Sequence, residues 1–277
     1  MAQKIVLSDL LIYPIKSAAG TSRKSANLTP RGLESDRIFM VVNSEGHFLT
    51  QRRFPKMALI TPWPATPVHV TVNAPGMPKL HVMTADYSDT VEVEVWGDRV
   101  SATLCGPEAA AWFSQFLETP CQLVHLPATS KRPTDHGKLG PDETVSFADA
   151  YPYLLLSEAS LAGLNQKLAL KNASPVTMNR FRPNFVVSGD ILPHAEDSWK
   201  RIRIGDATFR IAKPCARCSI PNVNQETGSR TKEPSPTLAT YRAWDKGIWF
   251  GQNLIQENEN KQAFHSLSVG DTVEILE

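Results

Sequence analysis

Cysteine is scarce in this sequence, because Cys105, Cys121, Cys215 and Cys218 are the only four among 277 residues. Secreted disulfide scaffolds are shorter and richer in cysteine, so the sequence predicts a reducing compartment and a cytoplasmic chain. A plant-type iron–sulfur cluster needs four thiolates at C-x4-C-x2-C…C spacing, which these positions do not provide. We therefore expect no iron–sulfur cluster in this chain.

Long apolar runs and an excess of one charge are also missing. No apolar segment approaches the ~18 residues of a membrane-spanning helix, and the N-terminal residues lack the cationic start of a signal peptide. The 29 Lys and Arg residues nearly balance the 28 Asp and Glu residues, whereas nucleic-acid-binding proteins normally carry a basic excess. The sequence thus predicts neither a membrane nor a nucleic-acid partner.

The common nucleotide and serine-hydrolase fingerprints do not occur either. No GxGxxG follows a predicted strand, and Walker A and GxSxG motifs are absent. The chain is nevertheless long enough for a substantial core, and 42% hydrophobic with 21% charged residues is ordinary for a globular enzyme. Proline outnumbers glycine, 21 to 15, which favours turns and short strands over long helices.

Alternating apolar residues predict that the first hundred residues are nearly all β-structure. Strands or hairpins are expected at 4–15, 37–52 and 91–104. The VHVTV segment 68–72 lies among five prolines, so only edge strand and loop are expected there. A helix follows Gly106-Pro107, with the proline near its first position.

The second half predicts further short strands and a few short helices. Residues 127–143 carry proline, glycine and charge without periodicity, which predicts a long exposed loop. Ser157 is expected to cap a helix over the following EASLAGLNQKLAL. Strands are predicted at 146–157, 184–189, 198–206, 208–214 and 272–276, and short helices at 174–180 and 236–244. The pattern as a whole predicts an α+β chain that is mainly β.

The CARC segment 215–218 follows a predicted strand and leaves four interpretations open. Half of a zinc site would need more ligands, but no second CxxC exists and the histidines show no close spacing. A thioredoxin-like dithiol would cap a helix, which the following Pro221 disfavours. A single thiolate beside Arg217 and Lys213 would suit a soft metal. Two buried structural cysteines are the simplest alternative, and spacing alone favours them.

Polar and basic residues cluster at predicted strand ends. Lys16 and Ser17 follow the first strand, Arg37 begins another, and a helix-to-strand corner carries Arg180, Arg182 and Asn184. Arginine forks and backbone amides suit a phosphate or a polyanionic cofactor. Each cluster alone is more typical of a solvated strand end, but loops at strand ends also gather functional sites.

Seven motifs occur in an order that resembles the MOSC family, which is named for the C-terminal domain of molybdenum cofactor sulfurase. The similarity is greatest to the mitochondrial amidoxime-reducing component and bacterial YcbX branch, and it spans nearly the whole chain. The motifs are YPIKS (13–17), DRIFMV (36–41), FADAYPYLLLSEASL (147–161), RFRPNFVVSG (180–189), EDSW (196–199), KPCARC (213–218) and FGQN (250–253). This resemblance implies an N-terminal MOSC-associated β-barrel domain at 1–120 and a MOSC β-barrel domain at 121–277.

The resemblance also implies a Mo-molybdopterin cofactor between the two halves. Cys218 would ligate molybdenum, with Cys215 as a bystander, and Asp149 is a candidate catalytic proton donor by its position. The implied cofactor-binding residues are Lys16, Ser17, Arg37, Asp149, Ala150, Arg182, Asn184, Ala216, Arg217, Cys218 and Asn253. After the cysteine the family usually has an apolar residue and Thr-Thr-Val, so Pro221 is expected to reshape the mouth of the site.

The implied activity is the two-electron reduction of small N-hydroxylated compounds, such as amidoximes and hydroxylamines, to the parent amine or amidine. Because no iron–sulfur cluster is expected, a separate protein resembling a ferredoxin, cytochrome b5 or a flavoprotein reductase would supply the electrons. Two alternatives remain open. One is a molybdenum cofactor or sulfur carrier without turnover, and the other is a β-barrel binding module without metal.

Overall fold

The computed structural model describes residues 4–140, 142–257 and 265–277. Short strands dominate this part of the chain, and its longest α-helices have 12 residues. The predicted α+β, mainly β class is confirmed. Within the described residues, no helix has the length and hydropathy needed to cross a membrane.

The elements are numbered in chain order. The strands are β1 Ile5–Ile12, β2 Thr21–Ser22, β3 Ser25–Thr29, β4 Gly32–Leu33, β5 Phe39–Val42, β6 Thr61–Thr66, β7 His69–Asn73, β8 Leu80–Met83, β9 Thr90–Val95, β10 Asp98–Leu104, β11 Gln122–His125, β12 Tyr153–Ser157, β13 Phe185–Ser188, β14 Arg201–Ile204, β15 Ala207–Ala216, β16 Ala243–Trp244, β17 Gly247–Glu257, β18 Ser266–Ser268 and β19 Thr272–Ile275. The α-helices are α1 Gly106–Leu117, α2 Glu158–Ala169 and α3 Ser235–Ala239. Single 3-10 turns lie at Pro55–Leu59, Thr84–Asp86, Thr134–Gly137, Met178–Arg180, Ala195–Asp197 and Ile220–Asn222.

Seven strands close a barrel in the order β12–β13–β1–β19–β14–β15–β17, and pairing of β17 with β12 completes the ring. Its interior is filled by side chains. The rings of Tyr153 and Phe185 stack at 5.2 Å, and Phe209 packs edge-on against both at 5.3 Å. Because the interior is a packed core, as in other small barrels, a binding site must lie at an end of the barrel.

Two further sheets enclose the core of the N-terminal half. One has the order β5–β11–β10–β9 and the other the order β6–β7–β8. Val41 of the first sheet, Val72 of the second and Phe113 of α1 are fully buried in one apolar cluster. The alternation in β9 follows the prediction, with Val93 and Val95 buried.

The prediction for segment 68–72 was wrong, because β7 is the central strand of its sheet and pairs with both β6 and β8. Proline removes a backbone donor only from its own strand. Pro62 and Pro64 lie in the edge strand β6, whose register shifts between Pro62 and Ala65. The prolines therefore disturb β6 and leave β7 free to form two ladders.

The 127–143 segment is not exposed throughout, which corrects that prediction. Arg132 and Thr134 are fully buried, and Pro141 lies outside the described residues. The Arg132 guanidinium donates to the carbonyls of Ser146, Ala148 and Asp149 at 2.5–3.0 Å. This side chain thus holds the backbone that leads into β12.

Three element boundaries also differ from the prediction. The strand expected from residue 146 begins only at Tyr153, since the preceding carbonyls bond to an arginine side chain instead of a neighbouring strand. The helix expected over 174–180 is a single turn at Met178–Arg180, and α3 ends at Ala239 before β16.

The predicted cap of α2 is present. Ser157 Oγ accepts from the amide of Ser160 at 3.0 Å. The buried carboxylate of Glu196 accepts from both serine hydroxyls at 2.7 and 2.9 Å. A polar cluster of three side chains therefore fixes the start of the helix.

The sheets do not follow the predicted division at residue 120. Strand β1 from the beginning of the chain belongs to the barrel, and β11 after residue 120 pairs with β5 and β10. The division into 1–120 and 121–277 stays a prediction.

Candidate functional site

Strand pairing gathers the predicted site residues at one end of the barrel. The end of β1 pairs with the start of β13, and β12 runs parallel to β13, so both begin at this end. Asn253 of β17 pairs with Leu154 of β12 at this end of the barrel, and Pro214 and Ala216 bring the end of β15 to the same place. Residues that are more than 200 positions apart in sequence thereby become neighbours.

A cleft at this end contains about 730 Å³ of empty space, its open mouth included. Ten of the eleven predicted cofactor-binding residues line it: Lys16, Arg37, Asp149, Ala150, Arg182, Asn184, Ala216, Arg217, Cys218 and Asn253. Ser17 is the exception, because it is buried beside the cleft and its carbonyl accepts from Gln51 at 2.8 Å. A larger cavity that includes Arg31 and His125 contains none of these residues.

Lys16 is a buried cation of the site and lines the cleft. Its Nζ donates to the Phe147 carbonyl at 2.7 Å and to Asp149 Oδ1 at 2.5 Å, and it lies 5.0 Å from the Phe48 ring. Burial lowers the pKa of Lys16 to about 8, although the charge of Asp149 partly opposes this. Burial also raises the pKa of Asp149, but the charge and hydrogen bond of Lys16 outweigh that and hold it below its usual value.

Two guanidinium groups stack on Tyr13, with Arg182 4.2 Å and Arg37 4.4 Å from the ring centroid. Arg37 donates to Asp36 at 2.5 Å, to Asn184 Oδ1 at 3.0 Å and to the carbonyl of Arg182 at 3.1 Å. Burial lowers the pKa of Arg182 to about 10. These bonds fix both cations at the cleft wall before any ligand arrives.

Arg217 brings a third guanidinium group to the cleft. It donates to the carbonyls of Phe250 at 2.7 Å and Phe181 at 2.9 Å. Its Nη2 atom is buried and has no hydrogen-bond partner among the described residues. A buried donor without an acceptor is costly, so an anionic ligand in the cleft would satisfy a need that the protein leaves open.

The two cysteines of the CARC segment differ in environment. Cys218 is exposed and lines the cleft, so the interpretation as two buried structural cysteines is wrong for it. Burial raises the pKa of Cys215, and the charge of Arg217 only partly opposes that. The next helical element is the single 3-10 turn Ile220–Asn222, not the α-helix that a thioredoxin-like dithiol caps. Lys213, expected near the thiolate, bonds instead to Asp135 at 3.2 Å.

Arg180, expected with Arg182 and Asn184 at a helix-to-strand corner, lines the cleft and donates to the carbonyl of Pro221, which lines it as well. Two other groups of the site escaped sequence analysis. Trp96 donates its indole N–H to Asp149 Oδ1 at 3.1 Å. Arg132 supports the backbone of residues 146–149 by donating hydrogen bonds to the carbonyls of Ser146 and Asp149. No local sequence pattern marks Trp96 or Arg132 as part of the site.

Residues 4–120 match the MOSC N-terminal beta barrel domain, and residues 142–274 match the MOSC domain. Mitochondrial amidoxime-reducing component 1 of Homo sapiens is 34% identical over 98% of this chain and 82% of its own length. Mitochondrial amidoxime reducing component 2 of Bos taurus is 34% identical over 96% of this chain and 82% of its own length.

The chain belongs to the MOSC family. The membership inferred from the seven ordered motifs is confirmed. Molybdenum cofactor sulfurase of Oryza sativa subsp. japonica is also 34% identical, over 97% of this MOSC chain but only 35% of its own length. Similarity to both kinds of relative associates this chain with molybdenum-cofactor biochemistry.

The cleft of this MOSC protein has the donors that an anionic, thiolate-ligated cofactor needs. Five cationic side chains and one carboxylate line it, among the residues that the structure describes: Lys16, Arg37, Arg180, Arg182, Arg217 and Asp149. The excess of positive charge, the unpaired Arg217 Nη2 and the exposed Cys218 thiol all fit a phosphate-bearing metal cofactor.

Proposed function

We propose that this chain is a molybdenum-cofactor-dependent reductase that converts small N-hydroxylated compounds, such as amidoximes and hydroxylamines, to the parent amine or amidine. The observation that carries the proposal is the cationic cleft with an exposed cysteine, in a chain closely similar to amidoxime-reducing components over nearly its full length. The reduction consumes two electrons and two protons for each N–O bond and releases one water.

In this proposal Cys218 holds molybdenum in a Mo-molybdopterin cofactor. Arg37, Arg182, Arg217 and Lys16 would hold this anionic cofactor through their positive charges. Asn184, Asn253, Ser17, Ala150 and Ala216 complete the surrounding wall. When bound, the metal centre would supply the electrons for cleavage of the N–O bond.

The chain's own groups would manage charge and protons. Lys16, whose pKa burial lowers to about 8, can exchange a proton at the cleft floor near neutral pH, and its charge keeps the Asp149 carboxylate ionised. Asp149 then stands at the cleft as the group nearest to solvent in this pair, since its side chain is 60% exposed. Pro221 forms part of the cleft wall, and its effect on substrate preference stays a prediction.

The electrons come from a separate protein, of ferredoxin, cytochrome b5 or flavoprotein-reductase type, because we expect no iron–sulfur cluster in this chain. A cytoplasmic location is likewise the prediction from the sequence.

Metal analysis of protein purified from a host that makes the cofactor tests the proposal. Wild-type protein should contain close to one equivalent of molybdenum, Cys218→Ser should lose most of it, and Cys215→Ser is the matched control that should keep it. Absence of molybdenum from the wild-type protein would refute the proposal. Molybdenum without reduction of any test amidoxime, across the three donor types, would favour the carrier alternative.

A further inference from the structure

Trp96 occupies a position where tryptophan is unexpected. It forms the two-residue turn between β9 and β10 together with Gly97, and the two residues have φ values of 56° and 92°. Such turns favour asparagine and glycine, because a bulky side chain is strained at positive φ. The side chain is also 44% exposed, so burial does not compensate for the strain. Strain of this kind persists mainly at functional sites.

The indole of Trp96 is held by contacts from both halves of the chain. Its N–H donates to Asp149 Oδ1 at 3.1 Å, 53 residues away in sequence. The Arg52 guanidinium lies 4.4 Å from the indole centroid, and the Phe48 ring packs edge-on at 5.2 Å. Arg230 donates to the carbonyl of Arg52, so a loop of the second half fixes this stacking residue.

The same contacts orient the Asp149 carboxylate. Both of its side-chain donors, Lys16 Nζ and Trp96 Nε1, bond to Oδ1. In the described part of the chain no residue donates to Oδ2, although the carboxylate is exposed at the cleft. One oxygen is therefore fixed by two donors, and the other is available to a ligand.

We propose that Trp96 is a positioning residue, which orients Asp149 so that Oδ2 accepts a hydrogen bond from the N–H or O–H of the N-hydroxylated substrate. The inference rests on the proposed function for the identity of that substrate. Trp96 itself does not line the cleft, so it acts through Asp149 and not by contact with the substrate.

Steady-state kinetics of the molybdenum-loaded protein provide the first test. Trp96→Phe keeps the stacking ring but removes the donor, and should lower kcat about tenfold, as loss of one hydrogen bond to a charged group does, with KM nearly unchanged. The matched control is Trp244→Phe, because Trp244 is 40% exposed and stacks with Arg242 at 4.8 Å in a similar way. Equal kcat values for the two variants would refute the proposal.

An NMR measurement on the cofactor-free protein separates this inference from the proposed function. The indole N–H signal of Trp96, identified by its loss in Trp96→Phe, should move markedly in Asp149→Ala and stay in place in Asp86→Ala. Asp86 is a matched carboxylate in the 3-10 turn after β8. An unmoved signal in Asp149→Ala would overturn the proposed contact even in an active enzyme. If the signal moves but the protein has no amidoxime-reducing activity, the contact between Trp96 and Asp149 is supported and only the proposed reductase function is refuted.

Discussion

The buried Lys16 should make the protein more stable as the pH rises above neutrality. In the unfolded chain this lysine keeps its proton up to about pH 10.5, whereas burial lowers its pKa in the folded state to about 8. Between these values folding releases a proton, so raising the pH favours the folded state. The gap corresponds to about 3 kcal/mol, because each pKa unit is worth about 1.4 kcal/mol.

Lys16→Met isolates this contribution. Other groups titrate in the same range, among them Cys105, whose pKa burial raises to about 12, so the difference between variant and wild type is the quantity to follow. Urea unfolding at intervals from pH 8 to 10.5 should show wild type gaining about 3 kcal/mol relative to Lys16→Met. The exposed Lys200 offers a control, since Lys200→Met should run parallel to wild type.

Parallel curves for wild type and Lys16→Met would refute the reasoning, because they would mean that burial of Lys16 does not penalise its charge. A confirmed difference would show that the lysine is kept at a cost to stability. The presence of a charged lysine in the cleft would then need a functional reason, such as binding of an anion.

Two further substitutions test how the fold supports the site. Gly251→Ala should lower the free energy of unfolding by more than about 2 kcal/mol and reduce the molybdenum content of the protein. Gly251 has φ +82°, and an added Cβ would lie 2.6–2.8 Å from atoms of β12. The control Gly76→Ala, with φ +73° and open space around it, should cost only about 1 kcal/mol. Arg132→Met should cost about 3–5 kcal/mol in urea unfolding, because it leaves Asp98 without its ion-pair partner at 3.0 Å and three carbonyls without their donor. The exposed Arg99→Met should change stability by less than about 0.5 kcal/mol. Equal costs for Gly251→Ala and Gly76→Ala would contradict the steric argument. Equal costs for Arg132→Met and Arg99→Met would contradict the argument from polar contacts.

Sequence reasoning was most successful where one residue determines its own surroundings. Ser157 capped a helix, and the alternating valines of β9 faced a core, because both signals are local. It failed at β7, because the nearby prolines were expected to restrict this strand, whereas they disturb the neighbouring edge strand β6. It also missed Trp96 and Arg132, whose roles depend on partners 53 and at least 14 residues away. No periodicity or short motif contains such information.

The backbone of the cleft shows why these distant contacts matter. Ser17, Arg37 and Arg182 have φ values of 65°, 49° and 56°, a conformation that is costly for residues other than glycine. The strained segments hold one another: Arg37 donates to the carbonyl of Arg182, Arg182 donates to the carbonyl of Ala18 at 2.5 Å, and Gln51 donates to the carbonyl of Ser17. Arg37 and Arg182 thus make structural hydrogen bonds and also line the cleft. Because Arg37 and Arg182 combine a strained backbone with a cation at the cleft, selection for stability alone would not favour this arrangement, whereas binding of an anion gives it a function.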